Sequence, residues 1–289
     1  MAERTDDSYV GKYLGRHDYA TGPEAIAAYI AGTRDDNPWY SGPSPFGGPV
    51  APALLLHSEQ YKFALGDWYL PKVYGNLHIR QDWDLFQPVM AGEPLWTHGM
   101  IADRYPWRDR DVVVNEFSIF NGDNVMVARG RCHQSFLLDV DPNATVVGKD
   151  KARPKASAEA PSAPIEVLEP VEKLVDLDLC MAFSGPNKNY HNDREEAKNL
   201  GFPDVVVQGT MSTTFIAEML TKRFGAGFFR GGRMSLNLTN VLWGGETVTA
   251  RGVVREIRAE GPHRRAHLEV WTEKPDGTKT IKGTASALL

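Results

Sequence analysis

The sequence predicts an α+β protein built from two antiparallel sheets, each wrapped around a central helix. Three observations lead there. The stretch PNATVVGKDKARPKASAEAPSAPIE (residues 142–166) is rich in Pro, Ala, Ser and Lys and has no apolar period, the composition of a linker. The segments on either side are similar in size and weakly alike. GEPLWTHGMI (92–101) matches GETVTARGVV (245–254), and Gly99 and Gly252 lie 153 residues apart (252 − 99), as do Gly130 and Gly283 (283 − 130). In each copy a helical pattern comes first and alternating strands follow, the order expected when a sheet curls around a helix. The chain therefore divides into 8–141, a linker at 142–166, and 167–289, in keeping with roughly 100–150 residues per domain.

The elements follow in order. Thr21-Gly-Pro-Glu24 ahead of AIAAYIAG reads as a capping box, with Pro23 tolerated in the first turn. A longer helix is predicted from near residue 52, over PALLLHSEQYKFAL. Between Gly99 and Gly130 come a charged turn and an alternating strand, with Gly122-Asp123 as the next turn. In the second copy Asp193-Arg-Glu-Glu196 opens a helix over AKNLGF that Gly201 stops. GTMSTTFIAEMLTKRF starts near Gly209 and puts Met211, Phe215, Met219 and Leu220 on one face. Asp276-Gly277 joins RAHLEVWTE to KTIKGTASALL, a hairpin signal.

The 289 residues are 42% hydrophobic, ample for a core. A net charge of −5 offers no basic field for a phosphate backbone, so nucleic acid is excluded as a partner. Cys132 and Cys180 are far apart and lack CxxC spacing, which argues against a disulfide framework and a thiolate metal site. The N-terminus, MAERTDDSYVGKY, is charged, and no run approaches eighteen apolar residues. A cytoplasmic chain with no membrane partner is expected. No ligand-spaced His/Cys/carboxylate cluster and no glycine-rich nucleotide loop occurs, so neither a metal nor a redox cofactor is expected.

FSGPNKNYHNDREEAKNLGFPDVVVQGTMS (183–212) resembles the hydratase signature of the MaoC-like, R-specific enoyl-CoA hydratases and dehydratases. That signature is a Ser-Gly-Asp-x-Asn-Pro-aliphatic-His stretch, then Asp, then Ala and Gly-Phe, then an apolar run ending at His-Gly or Gln-Gly. YIAGTRDDNPWYSGP and GGPVAPALL resemble the N-terminal dehydratase domain of the double-hotdog members. The resemblance spans both halves outside the linker. It implies two fused hotdog folds packed like a hotdog homodimer, acting on an acyl-CoA, with coenzyme A as part of the substrate. In the family an aspartate and a histidine hold one water between them, and a backbone N–H at the start of the central helix holds the thioester oxygen. The chemistry suits these groups: imidazole titrates near neutral pH, and a helix N-terminus offers unsatisfied donors and partial positive charge.

Carried over residue by residue, the family's histidine falls on His191 and its helix-opening glycine on Gly209. Its aspartate falls on Pro186, and its Asn-Pro on Lys188 and Asn189. Asn187 and Asn189 can hold a water but cannot act as a base. This implies a one-histidine scheme, with Asn187 or Asn189 orienting the water. The first half is complementary. Asp35 and Asn37-Pro38 fit the motif, but Tyr40 stands in the histidine's place and Pro52 in the glycine's. That half is expected to have lost catalysis and to shape the acyl pocket; the alternative is that Asp35 reaches the other site across a pseudo-twofold axis.

Local readings stand beside these. A lone loop histidine can equally be a surface or capping residue, and Asp193 is most simply an N-cap. Glu218 is read as a solvated or interface residue, although some hotdog thioesterases carry a carboxylate on that helix. His57 and Glu59 are read as structural. Arg80, Arg104, Arg108 and Arg110 could meet coenzyme A phosphates or belong to a mixed surface. Trp39, Tyr40, Phe46, Tyr61, Phe63, Trp68, Tyr69 and Tyr74 suit either a tunnel for a bulky acyl group, such as a ring or steroid side chain, or core packing. The expected activity is reversible hydration of a 2-enoyl-CoA to a 3-hydroxyacyl-CoA. The alternatives are an acyl-thioester-binding subunit and a hotdog thioesterase. The sequence leaves homodimerisation open.

Overall fold

The alternating strands of both copies hydrogen-bond into one antiparallel sheet, eleven strands wide among the described residues. The computed structural model describes residues 8–58, 63, 77–108, 110–137 and 163–289. The first copy contains β1 (Tyr13–Ala20), α1 (Pro23–Thr33), β2 (Leu77–Leu85), β3 (Pro94–Trp107), β4 (Arg110–Asn121) and β5 (Met126–Leu137). The second contains β6 (Glu166–Val167), β7 (Val171–Leu174), α2 (Leu177–Ser184), α3 (Arg194–Asn199), α4 (Gly209–Phe224), α5 (Ala226–Gly231), β8 (Arg233–Leu238), β9 (Thr247–Glu260), β10 (His263–Glu273) and β11 (Lys279–Leu288). The order across the sheet is β1-β3-β4-β5-β2-β8-β11-β10-β9-β6, with β7 also paired to β9.

The duplication read from the glycines is present strand by strand. β3 and β9 start 153 residues apart (247 − 94), and so do β4 and β10 (263 − 110) and β5 and β11 (279 − 126). The copies join where β2 pairs with β8, and Asp82 sits opposite Ser235 there. Those two residues are themselves 153 apart (235 − 82), so the pseudo-twofold axis passes between them. The repeated glycines mark where each sheet meets its central segment. A Cβ on Gly99 would lie 2.6 Å from Phe63 Cγ, and one on Gly252 would lie 2.9 Å from Met219 Cε.

Local signals fared unevenly. Asp193 is the N-cap of α3, and Gly201 follows that helix at φ 81°. The Thr21 capping box does not form. The N-cap of α1 is Gly22, without a side-chain bond, because Thr21 lies one residue too early; its hydroxyl donates instead to Met90 O at 3.0 Å. The long helix expected from residue 52 falls mostly outside the described residues, and its described start is a 3-10 turn, Leu55–Ser58. The linker also lies outside them up to residue 162, but Glu166–Val167 is already a strand on β9. α4 is buried on nearly every side rather than along one stripe, because the first half packs on the face the periodicity leaves polar. Among the described residues no helix is long and apolar enough to cross a membrane.

Candidate active site

The second-half motif closes into a frame of hydrogen bonds made by two asparagines. Asn192 is 1% exposed, and its amide donates to Ser184 O (3.1 Å) and Asn187 O (3.0 Å). The Asn189 amide donates to the same two carbonyls, at 3.0 and 2.9 Å. Asn192 Oδ1 accepts from Asn189 N, and Asn189 Oδ1 accepts from His191 N at 2.8 Å. Each carbonyl has two lone pairs and the pair of amides fills both. Asn189 is therefore occupied in placing the His191 backbone and has no free donor for a water. Asn187 is exposed, and only its carbonyl is held by the frame.

His191 is half-buried, and its Nδ1 lies 2.7 Å from Val206 O. A carbonyl only accepts, so Nδ1 carries the proton and Nε2 keeps a lone pair, the form a base needs. Burial lowers the imidazole pKa below its ordinary value, and the bond to Val206 opposes this in part. Tyr190 lies against the ring at 3.9 Å between centroids. Val206 is fixed in turn by its bridge to Trp243, and Val207 N donates to Leu242 O at 2.9 Å. Three residues later α4 begins, no more than about 11 Å of extended chain away.

At that start Gln208 is the N-cap, extended and without a side-chain cap bond. Gly209 is the first residue of α4, so its N–H has no carbonyl one turn back within the helix to bond, whereas Met211 N donates to Gln208 O at 2.9 Å. The Gln208 side chain accepts instead from Ser184 Oγ at 2.6 Å, tying the motif loop to the helix entry. A Cβ on Gly209 would collide with Leu238 Cδ2, so a larger residue there would make the half-buried Leu238 side chain of β8 turn aside. The structure thus holds the His191 ring on Val206, three residues before Gly209 in the chain, with Asn189 bracing the His191 backbone and Pro186 exposed. The motif's carboxylates are engaged elsewhere. Asp193 caps α3 and pairs with Lys188 at 2.7 Å, and Asp204 pairs with Arg194 at 3.1 Å.

The first half keeps its acid sealed. Asp35 is 2% exposed and accepts from Tyr40 Oη at 2.7 Å. Burial, with the charge of Glu218 added, pushes its pKa up to about 6. It lies within electrostatic reach of Glu218 on α4. Glu218 is not solvated: it is 3% exposed, donated to by Lys222 Nζ at 2.7 Å, and 2.8 Å from Lys173 Nζ in a contact poorly aligned for a hydrogen bond. Where Pro52 replaces the helix-opening glycine there is an apolar dent among Ala51, Pro52, Leu85, Val127 and Phe229, with space for about one water.

The other candidates are structural in their contacts. His57 stacks on Phe183 (4.5 Å, 14°), and burial lowers its pKa to about 4; Glu59 lies outside the described residues. Arg80 pairs with Asp82 and Arg104 with Asp111, both at 2.8 Å, while Arg110 donates to Ser135 Oγ and Arg108 lies over Trp107. Trp39 and Phe46 pack on Phe229 of the second half, and Phe63 is buried. Tyr61, Trp68, Tyr69 and Tyr74 lie outside the described residues. Both cysteines are free and buried.

Two antiparallel sheets joined through β2 and β8, the second one carrying α4, have the double hotdog architecture. Neither a protein-family model nor a curated protein matches the sequence, but solved structures match the fold. A MaoC-like dehydratase superposes with a TM-score of 0.75 at 15% identity, over 98% of both chains. A MaoC-like dehydratase from Phytophthora capsici gives 0.73 at 16% identity, also over 98% of both. A Mycobacterium tuberculosis protein with a double hotdog fold gives 0.63 at 15% identity, over 98% of this chain and 97% of that one. At these identities the likeness establishes the fold.

Proposed function

We propose that this chain reversibly hydrates a 2-enoyl thioester, on coenzyme A, to the 3-hydroxyacyl thioester, using one histidine. The observation that carries this reading is the His191 Nδ1–Val206 O bond, which leaves Nε2 basic beside the uncapped start of α4. Nε2 takes a proton from water as the water oxygen bonds to the β-carbon. The α,β double bond's electrons move onto the thioester, and the Gly209 N–H holds the resulting enolate oxygen. The imidazolium then returns the proton to the α-carbon, which leaves the enzyme unchanged. With a single group doing both transfers, addition is to one face. Asn187 is the remaining motif amide able to orient the water, since Asn189 is held in the loop frame. A bulky acyl group is one alternative for the substrate beside a short one, and the setting read from the sequence is cytoplasmic.

The test is the absorbance of a short and then a bulky enoyl-CoA, followed with wild type and His191→Ala. Hydration by wild type with at least a hundredfold loss in the variant is expected, since a positioned acid–base group contributes about 10²–10⁴. Release of free thiol would replace the reading with a thioesterase. Tight binding without turnover would make the chain an acyl-thioester-binding subunit.

A further inference from the structure

The first copy holds α2 at both ends. Gly32, in the last turn of α1, faces the C-terminal end: a Cβ on it would lie 2.9 Å from Phe183 Cα and 3.1 Å from Phe183 N, both backbone atoms. Residues 32 and 183 are 151 apart (183 − 32), the offset that also relates Asp35 to Pro186 (186 − 35) and Tyr40 to His191 (191 − 40). Equivalent positions of the two copies therefore touch, and α1 and α2 cross on the pseudo-twofold axis. His57 grips the same residue by stacking on the Phe183 ring (4.5 Å, 14°). At the N-terminal end, one Arg34 terminal nitrogen donates to both oxygens of Asp176, at 2.6 and 2.8 Å, and the other to Leu174 O at 3.3 Å. Asp176 is the N-cap of α2 and accepts from Leu179 N at 2.9 Å. Lys173 Nζ completes the link by donating to Arg34 O at 2.9 Å.

Arg34 stands where glycine is the unstrained choice. It ends α1 in the left-handed region, φ 53° and ψ 34°. An arginine kept in that conformation brings a side chain that glycine would not, and here the side chain binds the cap of α2. The grip runs one way. The counterpart of Arg34 is Gly185 (34 + 151), where a Cβ would lie 2.5 Å from Met181 O, so that position has no side chain with which to hold α1.

The far end of α2 anchors the motif loop. Its last residue is Ser184, whose carbonyl accepts from the Asn189 and Asn192 amides and whose hydroxyl donates to Gln208, the N-cap of α4. The His191 N–H hangs on the same frame through Asn189 Oδ1. A helix of eight residues does not hold its own shape in water. What grips α2 therefore sets where Ser184 lies.

We propose that Arg34 and Gly32 are positioning residues for the His191 reaction: the first copy places the motif loop by clamping α2 at its N-cap and at Phe183. This rests on the reading of the chain as a hydratase and gives the first copy a part in it that needs no contact with substrate.

The experiment compares wild type with Arg34→Met, Asp176→Asn, the two together, and Gly32→Ala. It follows enoyl-CoA hydration, urea unfolding and hydrogen exchange at the His191 amide. Asparagine keeps the N-cap and removes only the ion pair. Arg34 and Asp176 are both at least a third exposed, so their pair adds little stability and unfolding midpoints should stay near wild type. A misplacement of about 1 Å can cost on the order of a hundredfold in rate; kcat should fall about tenfold in Arg34→Met, with KM unchanged. Asp176→Asn should match it, and the double variant should lose no more than either alone. Gly32→Ala, which must push the Phe183 backbone aside, should lower kcat although alanine favours α1 itself. The His191 amide should exchange faster in each variant, while amides in the centre of β10 keep their rates. Arg16→Met, which breaks the Arg16–Asp18 pair on β1, should leave kcat alone. Unchanged kcat in Arg34→Met, additive losses in the double variant, or lowered stability with kcat kept would each overturn the clamp. If the His191 amide loosens but wild type hydrates no enoyl thioester, the placement of the motif loop stands and the hydratase reading falls; hydration that the variants leave untouched gives the reverse.

Discussion

Asp35→Asn should make the protein more stable at neutral pH and change the pH dependence of its unfolding. The carboxyl is 2% exposed, its strongest contact is the Tyr40 hydroxyl at 2.7 Å, and burial with the Glu218 charge raises its pKa from 3.8 to about 6. The native state therefore holds this proton more tightly than the unfolded chain does. For an acid shifted upward, stability is fullest below the unfolded pKa and falls as pH rises towards the folded one. Ionising the group in place costs about 3 kcal/mol, from roughly two pKa units at 1.36 kcal/mol each. Of this, about 2 kcal/mol falls between pH 4.5 and 7.5, because part of the titration lies below that window. Asparagine keeps the shape and still accepts from Tyr40 but cannot ionise. Urea unfolding of both proteins at half-unit pH steps reads the effect directly. Wild-type stability minus variant stability should drop by about 2 kcal/mol across that window. A flat difference, or one that grows with pH, would show that Asp35 is comfortably ionised, and the sealed-acid description would be wrong.

Two further outcomes follow from the second-half corner. Because burial lowers the His191 pKa, the base stays neutral below the ordinary imidazole range; the acid limb of kcat/KM for hydration should therefore have its midpoint below about 6.5, and a midpoint above it would mean the ring gains a carboxylate partner in the complex. Gly209→Ala should cost roughly 1–3 kcal/mol of stability through its collision with Leu238 and depress turnover by displacing the α4 N-terminus, and Leu238→Ala in the same chain should recover part of both; independent, additive effects would remove the close-contact argument.

What the sequence discloses here depends on whether a residue's role is local. The 153-residue repeat was readable because Gly99 and Gly252 each lie under a large apolar side chain, Phe63 and Met219, and a glycine leaves a mark at fixed spacing. Asp193 was readable because an N-cap bonds only to its own helix. The roles of Asn189 and Glu218 were not. Asn189 has the side chain of a water-binding group, and only the positions of Ser184 O and Asn187 O turn it into a loop brace. Glu218 interrupts an apolar helix and so looks solvent-facing, but the lysines that hold it come from β7 and from one turn along α4, and the surface it meets belongs to the other copy. Single-sequence periodicity assumes one wet face, an assumption that fails for a helix between two halves. The row Gln81–Cys132–Asn115 was invisible because its members line up only through strand register.

The two copies have divided the demands that a single hotdog would have to meet at once. An oxyanion site needs the start of α4 left without a cap, and losing a good N-cap costs about 1 kcal/mol. A helix so exposed at one end must be fixed from elsewhere. Here Leu238 presses on the Gly209 end, while Lys173 and Lys222 hold Glu218 in the middle of the helix, against the sealed Asp35 of the first copy. In this geometry the first copy's buried acid lies within electrostatic reach of a carboxylate on the second copy's helix. At matching sheet positions the first copy carries Asn115, Cys132 and Gln81, whereas Leu268, Ala285 and Met234 of the second remain buried hydrocarbon. The braced motif loop and the row Gln81–Cys132–Asn115 thus lie in different halves of one continuous sheet, on opposite sides of the Asp82–Ser235 axis.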